Sequence, residues 1–280
     1  MASGFIASLR VLDIMKIERP LIFNAAKVNG FTLTELLVLV VTFAILGGLL
    51  LPALAGTKPN AAAFQCLQNQ RQMVRAWQMY ADDNQSVLVA SLDQIGSSGF
   101  FNGRPVWMKG NAQTSPYNWD VNTLTNSPLY NYVGKNLSSF RCPADLTTRT
   151  IAGNVYPSVR SISMSQVFDA GQWLPATKYR TYGKLTEIVR PANTFVFIDE
   201  NPASLNDGGF ATECDPSAKD IIDIPANYHD KAAGISFADG HTEMHRWTGP
   251  LVSSGSLALA YSAADAADWQ YLADNTTVLK

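Results

Sequence analysis

Residues Phe31–Leu54 read FTLTELLVLVVTFAILGGLLLPAL, a run of 24 residues with one charge, Glu35, and no Lys or Arg. About 20 consecutive apolar residues are enough to cross a hydrocarbon core as a helix, so this stretch sets the expectation for the rest of the chain. The residues before it hold Arg10, Lys16, Arg19 and Lys27 against Asp13 and Glu18. That basic excess favours a cytoplasmic N-terminus and an outward-facing remainder. Three readings of the run compete. An ordinary membrane anchor leaves Glu35 unexplained, because a carboxylate within an apolar span is costly. A secretory signal peptide would be cut after Ala53-Leu54-Ala55, before Gly56, a small-residue cleavage pattern. The leader is long for such a peptide, however, and Glu35 and Pro52 gain no role. The third reading takes Gly30, Phe31, Glu35 and Pro52 together.

Gly30-Phe31-Thr32-Leu33-Thr34-Glu35 resembles the class III signal of type IV pilins and type II secretion pseudopilins. The resemblance implies that a prepilin peptidase cuts after Gly30, that Phe31 becomes the N-methylated first residue, and that Glu35 is the fifth. Pro52 then takes a position where proline recurs in pilin helices. The partners implied are the peptidase, other pilin or pseudopilin subunits, and the inner membrane. Each residue also has a physical rationale. Gly30 lets the backbone lie close in a protease site. A free amine on Phe31 could pair with a neighbour's Glu35, offsetting the cost of burying either charge alone. Pro52 removes a helical hydrogen bond and is expected to kink or melt the helix locally.

After Pro59, NAAAFQCLQNQRQMVRAWQMYADDNQ places Phe64, Leu67, Val74, Trp77 and Ala81 on one stripe, with Met73 and Tyr80 beside them. This is the pattern of an amphipathic helix, expected to continue the first into one long bent helix from about Phe31 to Asp82. Residues 85–160 read as a loop-rich region with a short helix near Val121–Val133. Short strands follow: SISMSQVF, a run near Tyr179–Leu185, and Thr194–Ile198. In GISFADGHTEMHRW, Asp239-Gly240 suits a two-residue hairpin turn. That turn puts Ile235, Phe237 and Met244 on the face toward the helix, and His241, Glu243 and His245 opposite. A final helix is expected over Ala263–Asp274, capped by Ser262.

The expected fold is therefore α+β and pilin-like, with a long N-terminal transmembrane and amphipathic helix packed on a C-terminal antiparallel sheet with long loops. Its divisions are a leader (1–30), a transmembrane part (31–54), an amphipathic continuation (55–84) and an extracytoplasmic globular domain (85–280). The stretch from His229 through nine residues to Asp239-Gly240 resembles the H-x9-DG signature of large pilin-like proteins of planctomycete, verrucomicrobial and related bacteria. Cys66, Arg141-Cys142-Pro143-Ala144-Asp145, Asp199-Glu200 and Asn206-Asp207-Gly208 also resemble landmarks of that group.

Composition narrows the function classes. The 280-residue chain has 21 Lys+Arg against 23 Asp+Glu, a formal net charge of −2, and no global basic field to hold nucleic acid. No GxSxG, phosphate loop or reactive-Cys motif is present, so no enzyme is expected. The histidines, His229, His241 and His245, fall close together, yet HTEMH lacks the glutamate placement of HExxH, and solvated hairpin residues are the preferred reading over zinc. Major pseudopilins of type II secretion hold Ca²⁺ in a C-terminal loop, and that resemblance makes Asp199, Glu200 and Asp207 calcium candidates. Glu213, Asp215, Asp220 and Asp223 are a second acidic group, and a solvated acidic surface is the competing reading. Cys66, Cys142 and Cys214 have no CxxC spacing; Cys142–Cys214 and Cys66–Cys142 are both permitted as disulfides. The expected function is a filament subunit of a type II secretion pseudopilus or type IV pilus-like fibre. The alternatives are an envelope enzyme or glycan-binding protein using the same export signal, and a minor pilin acting as tip adhesin.

Overall fold

The computed structural model describes residues 30–55, 57–91, 100–169, 173–175, 177–217, 221–255 and 261–280, with the side chains of 47–60 excepted. The basic leader residues and Gly56 lie outside this set. Helix α1 spans Leu33–Ala55 and α2 spans Thr57–Asp83. Two short hairpins follow, β1 (Phe100–Phe101) with β2 (Arg104–Pro105), and β3 (Thr148–Ile151) with β4 (Asn154–Pro157), with the one-turn helix α3 (Asn122–Thr125) between them. The main sheet uses β5 (Ile162–Ser165), β6 (Phe195–Asp199), β7 (Gly209–Phe210), β8 (Ala232–Phe237) and β9 (Thr242–Arg246) in the order β7-β5-β6-β8-β9. Helices α4 (Pro250–Ser254) and α5 (Ala266–Asp274) close the chain. Two compact units emerge, one ending at Pro52 and the other running Ala53–Lys280.

Two features correct the expected architecture. No helix among the described residues is long and apolar enough to cross a membrane, which overturns a fold built on a long transmembrane N-terminal helix. The described apolar part of α1 is interrupted by Thr34, Glu35 and Thr42, the last bonding back to the Val38 carbonyl at 2.8 Å. α1 carries through Pro52 to Ala55 without a break, and α2 is described from Thr57 onward. The sheet, expected to be antiparallel, is mixed, because β7 joins β5 in parallel.

Within the second unit, α2 lies on one face of the sheet through Met73, Val74, Trp77 and Ala81, all fully buried. Trp77 meets Phe168 edge-on with ring centroids 5.1 Å apart. Phe64, expected on the buried stripe, is exposed, while Asn69 and Gln70, expected in solvent, are buried. The reason is polar and specific. Asn69 Nδ2 donates to the Ser138 and Arg141 carbonyls at 2.8 and 2.9 Å, and Gln70 Nε2 donates to the Gly234 carbonyl at 3.2 Å. Buried amides with such partners avoid the desolvation penalty that would otherwise exclude them.

The β8–β9 hairpin forms, but one residue out of the expected register. Ser236 pairs with Thr242 and Ile235 with Glu243, leaving Ala238, Asp239 and Gly240 as a three-residue loop. Only Gly240 of the pair has a positive φ, +94°. Asp239 Oδ1 accepts the His241 backbone N–H at 3.0 Å and thereby closes the turn. A one-residue shift exchanges the faces of a strand. Gly234, Ser236 and Met244 consequently face α2, whereas Ile235 and Phe237 share the far side with His241, Glu243 and His245. There His245 stacks on Tyr271 of α5, with centroids 3.5 Å apart.

Several other elements are shorter than expected. The helix near 121–133 is reduced to α3, and the run near Tyr179–Leu185 contributes two isolated bridges, Tyr179 with Leu279 and Lys184 with Val87, instead of a strand. The last helix forms behind a short 3₁₀ turn. Ser262 and Asp265 close it, the serine donating to Asp265 Oδ2 through both N–H (2.9 Å) and Oγ (2.6 Å).

Candidate functional site

Two places concentrate the functional residues, one in each unit. In the first, Thr32 and Glu35 close a reciprocal cap at the start of α1. Glu35 Oε2 accepts from the Thr32 N–H at 2.8 Å and from Thr32 Oγ1 at 2.7 Å, while the Glu35 N–H reaches Thr32 Oγ1 at 3.3 Å. This is a T-x-x-E capping box, and it gives Glu35 a partner within its own chain. It holds the carboxylate one residue from Phe31, at whose nitrogen cleavage after Gly30 would create an amine. Beyond the cap the described side chains up to Leu46 are mostly apolar and exposed, Leu36, Leu37 and Val38 at 55–63%, with Thr42 a polar exception. Pro52 lies in α1, but its side chain is outside the described set.

The second place is buried against the sheet. Cys66 comes from α2, Cys142 from the loop after the 3₁₀ turn Leu137–Phe140, Asp199 from the end of β6, and His229 from the turn before β8. One ligand-type atom from each lies within 4.8 Å of those of the others; Cys66, Cys142 and Asp199 are buried and His229 half-buried. Cys66 Sγ stands 2.8 Å from Asp199 Oδ2, and Cys142 Sγ 3.0 Å from His229 Nε2. Ala144 N–H points at Cys142 Sγ at 3.4 Å, and Gly234 N–H donates to Asp199 Oδ2 at 3.1 Å. Asp199 Oδ1 is buried without a hydrogen-bond partner. The Cys142 thiol is drawn down to about 5 by the hydrogen bond from Cys66 and by His229, while the Cys66 thiol and the Asp199 carboxyl are pushed up, the latter chiefly by burial. All three cysteines are free thiols. Cys214 stays apart in the core, its thiol raised to about 12 by burial.

The surroundings of Cys142 follow from its neighbours in sequence. Arg141 Nε meets Asp145 Oδ2 at 3.2 Å, and Asp145 Oδ1 accepts the Thr147 N–H at 2.9 Å, so the RCPAD stretch is a self-bonded loop. The Cys142 N–H is fixed by Ser161 Oγ at 2.7 Å. A groove of about 670 Å³ opens beside it, lined by Gln65, Asn69, Arg141, Cys142 and Pro143 among others.

The calcium candidates are not brought together. Asp199 and Glu200 are adjacent and point to opposite faces. Glu200 accepts from Ser163 Oγ in a second buried network, where Arg160 donates to the Ile162 carbonyl at 2.7 Å, to Ser163 Oγ at 2.9 Å and to the Asp207 carbonyl. The guanidinium is fully buried and already supplies the positive charge that Glu200 and Asp207 need. His229 and Asp239-Gly240, the two ends of the H-x9-DG stretch, flank β8: the histidine joins the buried cluster and the Asp-Gly pair makes the hairpin turn. His241 and His245 belong to that hairpin, away from the cluster, His241 Nδ1 lying 2.6 Å from Asp239 Oδ1. Among the described residues this is the one group of three or more Cys, His, Asp or Glu side chains placed to share an ion. No spacing motif announces it, because each ligand sits on a different element between positions 66 and 229. No family model, curated protein or solved structure matches the chain.

Proposed function

We propose that the chain is a non-catalytic structural subunit, cleaved between Gly30 and Phe31 by a prepilin peptidase at the bacterial inner membrane and assembled through α1 into a pilus-like or type II secretion filament. The observation that carries this reading is the run of exposed apolar side chains along the described part of α1, from Leu36 to Leu46. Such a helix is stable in water only when something covers it. Identical helices of neighbouring subunits are the covering that also gives Glu35 a task. The capping box fixes its carboxylate on the Thr32 N–H, one residue from the new terminal amine, and an intersubunit ion pair in an apolar bundle would fix the stagger between subunits.

Glu35→Gln separates this role from helix capping. Glutamine also fills the third position of a capping box, so the start of α1 survives while the charge is lost. The reading expects the variant to be cleaved normally and to be missing from the filament fraction; incorporation at the level of the parent would refute it. Gly30→Leu should leave uncut protein in the membrane fraction.

A further inference from the structure

We propose that Cys66, Cys142, Asp199 and His229 bind one zinc ion, a structural site that ties α2 to the sheet of the second unit. This inference is independent of the assembly reading. Two sulfurs, an imidazole nitrogen and a carboxylate oxygen form a soft-to-borderline donor set suited to tetrahedral zinc and unsuited to calcium or magnesium. Zinc bonds of about 2.0–2.3 Å require ligand atoms about 3.3–3.8 Å apart, and the four atoms lie within 4.8 Å of one another. Two of the separations, 2.8 and 3.0 Å, are those of a collapsed shell and would open by less than 1 Å to admit the ion.

Three further observations point to a cation. Asp199 Oδ1 is buried with no hydrogen-bond partner, an expensive arrangement for a carboxylate unless a positive charge compensates it. Gly234 forms the floor of the cluster: a β-carbon there would stand 2.9 Å from both Cys66 Sγ and Asp199 Oδ2, so the strand keeps this space clear. The outer shell is also in place. The Ala144 and Gly234 N–H groups orient Cys142 and Asp199, as second-shell donors do at metal sites. Four ligands from four elements, separated by up to 163 positions in the sequence, would close long loops and link the ends of the unit.

Two competing uses of the same residues fit less well. A Cys66–Cys142 disulfide would leave the unpartnered Asp199 Oδ1 and the imidazole of His229 without a role. A Cys142–His229 nucleophilic pair would need an approachable sulfur, whereas Cys142 is 1% exposed and already engaged by Ala144, Cys66 and His229.

The test uses the full chain purified under reducing conditions, with zinc counted per chain by elemental analysis and the site refilled with Co(II). The expected result is one zinc per chain and, with cobalt, thiolate-to-metal charge transfer with tetrahedral d–d absorption. In chelator competition His229→Ala and Cys142→Ser should bind zinc at least about 100-fold more weakly, beyond the 10–100-fold effect of an outer-shell residue, while Asp239→Ala keeps the parent affinity. Absence of zinc together with no cobalt–thiolate band, a Cys66–Cys142 disulfide in the unreduced peptide map, or undiminished zinc in both ligand variants would each overturn the proposal. If the variants fail to fold, the cobalt spectrum of the unsubstituted chain decides alone.

Discussion

Gly234 of β8 lies so close to Cys66 of α2 that a β-carbon on the glycine would stand 2.9 Å from the cysteine sulfur. Neither partner can retreat, because α2 is anchored by Met73, Val74 and Trp77 and β8 is paired on both edges. Gly234→Ala is therefore expected to destabilise the second unit by about 1–3 kcal/mol, the usual range for overpacking. It should also abolish stoichiometric zinc. Urea unfolding and metal analysis on the same preparation check this, and an alanine variant that keeps both stability and zinc would show that the cluster is looser than described.

Asn69 connects helix and loop by donating to the carbonyls of Ser138 and Arg141, which places Cys142. Replacing it with alanine removes two hydrogen bonds to part-buried carbonyls, a loss of about 0.5–1.5 kcal/mol for each. Zinc affinity is expected to fall by about 10–100-fold, as for an outer-shell partner. Chelator competition measures the second effect, and an unchanged affinity would detach Asn69 from the site.

Arg160 is the cation of the other buried network. Arg160→Met removes it but leaves Glu200 in place across Ser163, and a buried carboxylate left without its compensating charge costs about 3–5 kcal/mol. The double variant Arg160→Met/Glu200→Leu should recover much of that loss. A single variant as stable as the parent in urea would mean that Glu200 is neutral without Arg160.

His245 is packed against Tyr271 and Trp247, with Glu243 and Asp268 nearby. Burial holds its imidazole below the ordinary histidine range, so the unfolded chain takes up the proton first as pH falls. The contribution of neutral His245 to stability is complete above about pH 7.5 and is lost as pH drops through about 6.5, the unfolded value, toward the lower folded one. His245→Phe keeps a ring against Tyr271 and removes the proton. Between pH 7.5 and 5.5 the melting temperature of the parent should fall more steeply than that of the phenylalanine variant; parallel curves would contradict the assignment.

The sequence made some of this legible and hid the rest for identifiable reasons. The amphipathic face of α2, the strand over Phe195–Asp199, the Asp-Gly hairpin and the Ser262 cap follow from local periodicity and turn chemistry. The hairpin register did not, because an aspartate accepting the N–H two residues on makes a three-residue loop as readily as a two-residue one. That single residue reversed the face of every side chain in β8. The buried polar face at Asn69 and Gln70 was hidden because its partners are backbone carbonyls far along the chain. Cys66, Cys142, Asp199 and His229 each stand in a recognisable local stretch; their convergence depends on α2, the RCPAD loop, β6 and β8 meeting, which no spacing encodes. At Glu35 the charge drew attention outward, while the nearest partner was Thr32, three residues back.

The mature N-terminus of the protein recovered from the membrane fraction of its native host tests the central claim most directly. Mass spectrometry of that terminus should find N-methylated Phe31. A chain beginning at Gly56, or one still carrying its leader, would contradict processing at Gly30 and remove the basis for assembly through Glu35.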